Sequence, residues 1–210
     1  NGTGPFKIES READIKTVAV INEDWWDTPE HNLTEVVFQP ISSDSTRVAA
    51  LLSGEMDMVY PVPTQDVPRL ESSNGVRALI GPELRTIYLG LDQSRDELLH
   101  SSVKGANPFK DRRVRQAMYQ AIDMDAIIDR IMRGQATAAA SLVAPGIQGF
   151  PEMLQRYPYD PDAAKALLTE AGYPDGFSVT LDCTNDRYVN DEAICQAIVG
   201  MLARIGIEVD

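Results

Sequence analysis

The sequence predicts a mixed α/β fold. Three observations carry that expectation: runs rich in β-branched and aromatic residues fill the chain before about residue 92, helical apolar spacing dominates after about residue 110, and residues 177–210 read strand, helix, strand. The last pattern is a βαβ unit, whose crossover is expected to be right-handed over a parallel pair. With 43% hydrophobic and 24% charged residues among 210, the composition is that of a globular chain with a sizeable core.

Along the chain, FKIES (6–10) and IKTVAVI (15–21), separated by the polar READ, are expected to form a hairpin. NEDWWDTPEHN is loop chemistry around Trp25 and Trp26, a pair that suits a packed corner, and TEVVFQPI supplies another strand. In SSDSTRVAALLSG, Val48, Leu51 and Leu52 recur at helical spacing, Ser42 to Ser45 offer caps and Gly54 stops the helix. MDMVY is expected as a short strand, Pro61 and Pro63 break regular structure, and TQDVPRLES reads as a brief helix. GVRALI and LRTIYLGL read as two further strands.

DQSRDELLHSSVKGANPFKD is a polar connector and the candidate boundary between domains. Beyond it, Val114, Ala117, Met118 and Ala121 form one apolar stripe on a helix that Asp111 can cap. Asp123 caps the next helix, with Ile127, Ile128, Ile131 and Met132 as its stripe and Gly134 as its stop. ATAAASLVAPGIQGFPEML has no period and is expected to be a long surface connection. In YDPDAAKALLTEAGYPDG, Asp160 sits at the cap, Pro161 at the first helical position, Ala164, Leu167, Leu168 and Ala171 on one face, and Gly172 at the stop. FSVTLDC, YVNDEAICQAIVGMLARIG and IEVD are the strand, long helix and strand of the closing unit. The abrupt start and the four-residue final strand read as the edges of an excised piece of a longer chain.

Thirty-two acidic against nineteen basic residues give a formal charge of -13, a field that repels polyanions and argues against nucleic acid or anionic membranes as partners. No window is long and apolar enough to span a bilayer. Cys183 and Cys195 stand twelve apart, one at a strand end and one in a helix; they read as free buried thiols or, slightly favoured, as a disulfide contributing about 3 kcal/mol in the loop-entropy model. His31 and His100 are too distant in sequence to complete a metal site with them. No phosphate loop, G-x-S-x-G or H-E-x-x-H occurs, so neither a catalytic constellation nor a cofactor is expected. Asn1 and Asn32 head the sequons NGT and NLT, which would matter only in a secreted eukaryotic protein.

Two groups of residues remain as binding candidates. Arg112, Arg113 and Arg115 could grip a carboxylate, or pair with neighbouring carboxylates as scaffold, the favoured reading. Tyr60 precedes PVP, and Tyr88 alternates with Ile87 and Leu89, so each could pack in a core or line a cleft.

TRVAALLSGEMDM, RTIYLGL, PFKDRRVRQAMYQAID, YPYDPDAAKALLTEAGYPDGF and the closing IGIEV, in this order, resemble the substrate-binding proteins of peptide-type ABC importers, the dipeptide and oligopeptide binders of solute-binding family 5. The resemblance runs essentially end to end. It implies a periplasmic binding protein-like fold of two lobes that close on a ligand, of which this chain is an incomplete central fragment: residues 1–84 part of the first lobe, 85–210 the first part of the second. It implies a periplasmic or lipid-tethered receptor that takes a peptide, or another small solute such as a nickel chelate, opine, oligosaccharide or glutathione, and docks transiently on an ABC permease. By motif position it assigns Tyr60, Pro61, Tyr88 and Gly90 to the cleft, with the arginines as scaffold. The family's best-known partners for a peptide's two ends lie beyond residue 210. A catalytic protein on this fold is the reading least favoured, and a piece with uncovered strand edges is expected to be able to dimerise through them.

Overall fold

The computed structural model describes residues 2–81, 83–185 and 187–210, so Asn1 of the first sequon lies outside the described residues. The chain divides into two compact units, Asn1–Val62 with Pro68–Arg77, and Pro63–Val67 with Ala78–Asp210.

The first unit is a three-stranded antiparallel sheet with a helix. Strands β1 (Phe6–Glu12) and β2 (Lys16–Ile21) form the expected hairpin, with a register shift between Ile8 and Ser10, and β3 (Glu35–Phe38) pairs with β2. The tryptophans lie at its opening turn: both indole N–H groups donate to the Thr3 carbonyl, at 2.8 and 3.2 Å, and Trp26 is largely exposed. Helix α1 (Asp44–Ser53) begins at Ser43, whose hydroxyl accepts from Thr46 N, and ends at Gly54 in the left-handed conformation with φ 78°. Val48 and Ala50 are the buried residues of α1, and Leu70 is buried on the short helix α2 (Val67–Glu71). Arg47 binds the Ile41 carbonyl at 2.8 Å, the Pro61 carbonyl at 3.3 Å and the Asp44 carboxylate, so it ties the helix to the segment that follows it.

MDMVY, GVRALI and LRTIYLGL form no strands. A strand exists only as part of a ladder, and among the described residues these segments have no ladder partner. Several of their apolar side chains are correspondingly bare: Met58, Leu79, Ile80 and Leu84 are all more than half exposed.

The second unit holds the larger core. Helix α3 (Arg112–Ala121) is capped by Asp111, which accepts from Arg113 N at 2.8 Å, and its predicted stripe of Val114, Ala117, Met118 and Ala121 is buried. Helix α4 (Met124–Arg130) is capped by Asp123, and Ile127, Ile131 and Met132 close over the core without being fully covered. Helix α5 (Pro161–Glu170) starts at Asp160 and presents Ala164 and Leu168 to α3. Strands β4 (Phe177–Val179) and β5 (Ile207–Val209) pair in parallel around helix α6 (Asp191–Ala203), completing the βαβ unit. The polar connector is firmly tied down: buried Asn107 donates to the carbonyls of Asp92 and Arg95 and accepts from Phe109 N, all within 2.9 Å. Asp92, held by the N–H of Ser94 and then by Arg95, has its carboxyl lowered to about 2.

Two details fix the βαβ unit. Gly176 and Gly206 have φ of 75° and 89°, and a Cβ on Gly176 would stand 1.8 Å from the Gly206 carbonyl oxygen, which accepts the Phe177 N–H that opens the parallel ladder. The second is the start of α6, later than its apolar period implies. Asp191 is buried and takes the backbone N–H groups of Arg187, Tyr188 and Glu192 at 3.0, 3.1 and 2.9 Å, which folds residues 187–190 into a turn rather than helix. Burial raises its carboxyl, but the Thr184 side chain and these three donors outweigh that and hold it below the ordinary 3.8. Asn190, at φ 57°, donates to Ile131 O at 2.9 Å and Thr64 Oγ1 at 3.1 Å. Cys183 and Cys195 are joined as a disulfide across the same turn, with Cα atoms 6.6 Å apart.

Gly176→Ala should destabilise the intact protein by about 3 kcal/mol or more in urea unfolding, since the left-handed φ and the backbone overlap both oppose a methyl group. Gly200→Ala, at an open position inside α6, should instead stabilise by about 0.5–1 kcal/mol. Asp191 has a folded value below its unfolded one, so its contribution is present above the ordinary carboxylate range and is lost as pH falls through the depressed value. Asp191→Asn should therefore cost about 1–3 kcal/mol at neutral pH and flatten the loss of stability seen in acid unfolding curves of the wild type.

Candidate functional site

Tyr60 and Pro61 belong to the first unit and Tyr88 and Gly90 to the second. Tyr60 is 75% exposed and joined to Pro61 by a cis peptide bond. Tyr88 is 66% exposed, so it is not a core residue. Although LRTIYLGL forms no ladder, its alternation survives: Leu89 and Leu91 turn to the core while Tyr88 and Gly90 stay on the surface. A Cβ at Gly90 would meet only the Tyr88 ring, at 4.0 Å, so the glycine leaves surface there open rather than making room for packed neighbours.

The arginines of α3 are structural. Arg113 forks onto the Asp111 carboxylate at 2.6 to 3.2 Å, and its Nη1 donates to Glu170 O at the end of α5. That fork holds the Asp111 carboxyl below the usual range and raises the guanidinium. Arg115 donates to the carbonyls of Phe109 and Lys110, and Arg112 to the Tyr157 hydroxyl. All three guanidiniums are taken up by the protein's own acceptors, which leaves little for a ligand.

A groove of about 640 Å³ opens between the α3–α4 corner and the long connection, lined among others by Tyr119, Met124, Leu154, Arg156 and Tyr157. Tyr119 and Tyr157 meet edge to face at 5.8 Å, and burial pushes the Tyr119 hydroxyl up. Arg156 lies 3.5 Å from Asp125 across it. The groove therefore carries aromatic surface and one loose ion pair.

A second cluster gathers where β4 ends. The guanidinium carbons of Arg85 and Arg187 lie 5.1 and 5.5 Å from the centre of the Tyr188 ring, and Arg187 Nε donates to the Tyr188 hydroxyl at 3.3 Å. Neither composition nor periodicity marks these residues. The one sequence signal is position: Arg187 and Tyr188 fall in the loop between a strand and the helix of a βαβ unit. Among the described residues no group of three or more His, Cys, Asp or Glu side chains is placed to hold a metal, and no helix is long and apolar enough to cross a membrane.

Comparison with known proteins sets these features in a family. The glutathione-binding protein GsiB of Salmonella paratyphi A is 29% identical over 208 residues, covering 99% of this chain and 38% of its own length. The periplasmic binding protein DppA of Helicobacter pylori, solved with the peptide STSA, is 31% identical with a TM-score of 0.75, covering all of this chain and 38% of that one. AgaA of A. tumefaciens R10, solved with agropinic acid, is 28% identical with a TM-score of 0.70 over 99% of this chain and 40% of that one. This sequence thus spans about two fifths of the relatives it matches. Since the model of the bacterial extracellular solute-binding proteins, family 5 Middle, matches residues 1–210, the chain belongs to solute-binding family 5 and corresponds to its middle region.

Proposed function

We propose that the protein to which this chain belongs is the extracytoplasmic substrate-binding component of an ABC importer, one that takes di- or oligopeptides in a cleft between two lobes and delivers them to a membrane permease. The observation that carries this reading is the match, over the whole chain, to a receptor solved with a bound peptide. On this reading residues 1–84 contribute to the first lobe and 85–210 to the second, and Tyr60, Pro61, Tyr88 and Gly90 line the cleft. Two exposed tyrosines suit that role, because an aromatic ring with a hydroxyl offers both apolar surface and a hydrogen bond to ligands of varied side chain. Binding through the ligand's backbone would give tolerance of sequence. The protein binds rather than transforms its solute, and works in the periplasm or tethered outside the cytoplasmic membrane.

A second reading keeps the receptor and changes the solute. The relative solved with agropinic acid favours it, while glutathione, the ligand in GsiB's name, is itself a tripeptide and fits either reading.

The test is a thermal-shift screen of the full-length protein against dipeptides, longer peptides, glutathione, nickel chelates and opine or sugar conjugates. A ligand at a hundred times its Kd should stabilise by about 2.7 kcal/mol. Shifts with several peptides and none with the other solutes support the peptide receptor; silence from every peptide with a shift from one other solute replaces it by the second reading. The excised chain is a separate matter: the outer side of β3 carries no ladder partner among the described residues, and Phe38 on it is 62% exposed. Edge pairing of two copies is expected for the isolated piece, and sedimentation as a clean monomer would count against it.

A further inference from the structure

The two cysteines of this sequence, joined as Cys183–Cys195, differ in burial: Cys183, just past β4, is exposed, and Cys195, in the second turn of α6, is half-buried. We propose that this disulfide is a thiol-exchange site, open to a dithiol reductant while the protein is folded, and that its opening frees the turn 184–190 and the start of α6. The assignment holds whichever solute the receptor takes.

Access decides the chemistry. Exchange needs a thiolate to reach one sulfur of the bond, and a disulfide sealed in a core denies that approach. Here Cys183 offers it. The attacking thiolate forms a new S–S bond with Cys183 Sγ as the Cys183–Cys195 bond breaks, and the electron pair leaves on Cys195, which takes up a proton. The reductant's second thiol, once deprotonated, then attacks the reductant's own sulfur in the mixed disulfide and releases Cys183 as the second thiol. The protein gains two electrons and two protons, and the dithiol is oxidised to its disulfide.

What the bond holds gives the site a consequence. Helices α1, α3, α4 and α5 each begin at a side chain that accepts a backbone N–H, namely Ser43, Asp111, Asp123 and Asp160. Helix α6 does not: Asn190 makes no capping bond there and sends its amide to Ile131 and Thr64 instead. The disulfide ties that end of α6 to the end of β4. Between the cysteines, buried Asp191 gathers the N–H groups of Arg187, Tyr188 and Glu192. While the loop is closed, the chain has little freedom to lose in keeping those three bonds; once it is open, the same bonds must fix a much freer segment. Reduction therefore loosens this turn first, and the α3–α5 pair, stitched by its own contacts, last.

The experiment treats the full-length protein with dithiothreitol under native conditions, traps thiols with N-ethylmaleimide at intervals, and compares hydrogen exchange of the oxidised and reduced forms by peptide mass. Labelling of Cys183 and Cys195 should speed up in proportion to dithiothreitol, and exchange across residues 184–194 should rise at least tenfold on reduction while α3 is unchanged. After brief treatment with mercaptoethanol, the mixed disulfide should sit on Cys183 and the maleimide on Cys195. The double variant Cys183→Ser, Cys195→Ser should show the fast exchange without any reductant. A labelling rate indifferent to dithiothreitol means that the bond opens only through global unfolding, and it overturns the site. A mixed disulfide on Cys195, or exchange across 184–194 that reduction leaves unchanged, overturns it as well.

Discussion

The second unit depends on one strip of small and branched side chains. Val114 and Ala117 on α3 and Ala164 on α5 are wholly buried, and Ala121 nearly so, which lets the two helices lie close along their length. Their ends are then stitched: Asp160 N, at the start of α5, donates to Gln120 O at the end of α3, and Arg113, at the start of α3, reaches Glu170 O at the end of α5. An antiparallel pair locked at both ends gives the parallel strands a floor, and Phe177, Ile207 and Leu202 complete the core over it. The three arginines that open α3 make sense in this light. Arg113 and Arg115 satisfy carbonyls that a helix end and a 3-10 turn would otherwise leave open, and Arg112 donates to the Tyr157 hydroxyl.

Most of this packing is legible in the sequence because it is local. The stripe on α3, the caps Ser43, Asp111, Asp123 and Asp160, and the stops Gly54, Gly134 and Gly172 all follow from spacings within a turn or two of helix. The failures share one cause. MDMVY, GVRALI and LRTIYLGL have β-forming composition, but composition does not supply a neighbouring strand, and no ladder forms on them among the described residues. The late start of α6 was hidden for a related reason: a side chain, Asp191, captures the N–H groups that would have begun the helix, and helical period alone does not register such capture.

The proposed binding surface is less legible than the core. Tyr60 and Tyr88 are singled out by their place in family motifs, and their exposure is compatible with contact to a solute, whereas Arg85 and Tyr188 are about a hundred positions apart and meet only through tertiary structure. A cation on a ring leaves no trace in spacing. What the chain does show is a division of its basic residues: those of α3 are absorbed by backbone carbonyls and Asp111, while Arg85 and Arg187 are grouped over a ring at the edge of a loop.

The close approach of Gly176 to Gly206 has a genetic consequence. Whatever side chain arrived at position 176 would strike main-chain atoms, the carbonyl oxygen and carbon of Gly206, rather than another side chain. Trimming a neighbour cannot relieve such an encounter. Second-site suppressors of a residue-176 variant should therefore be absent from the surrounding core and arise, if at all, where they stabilise the unit globally.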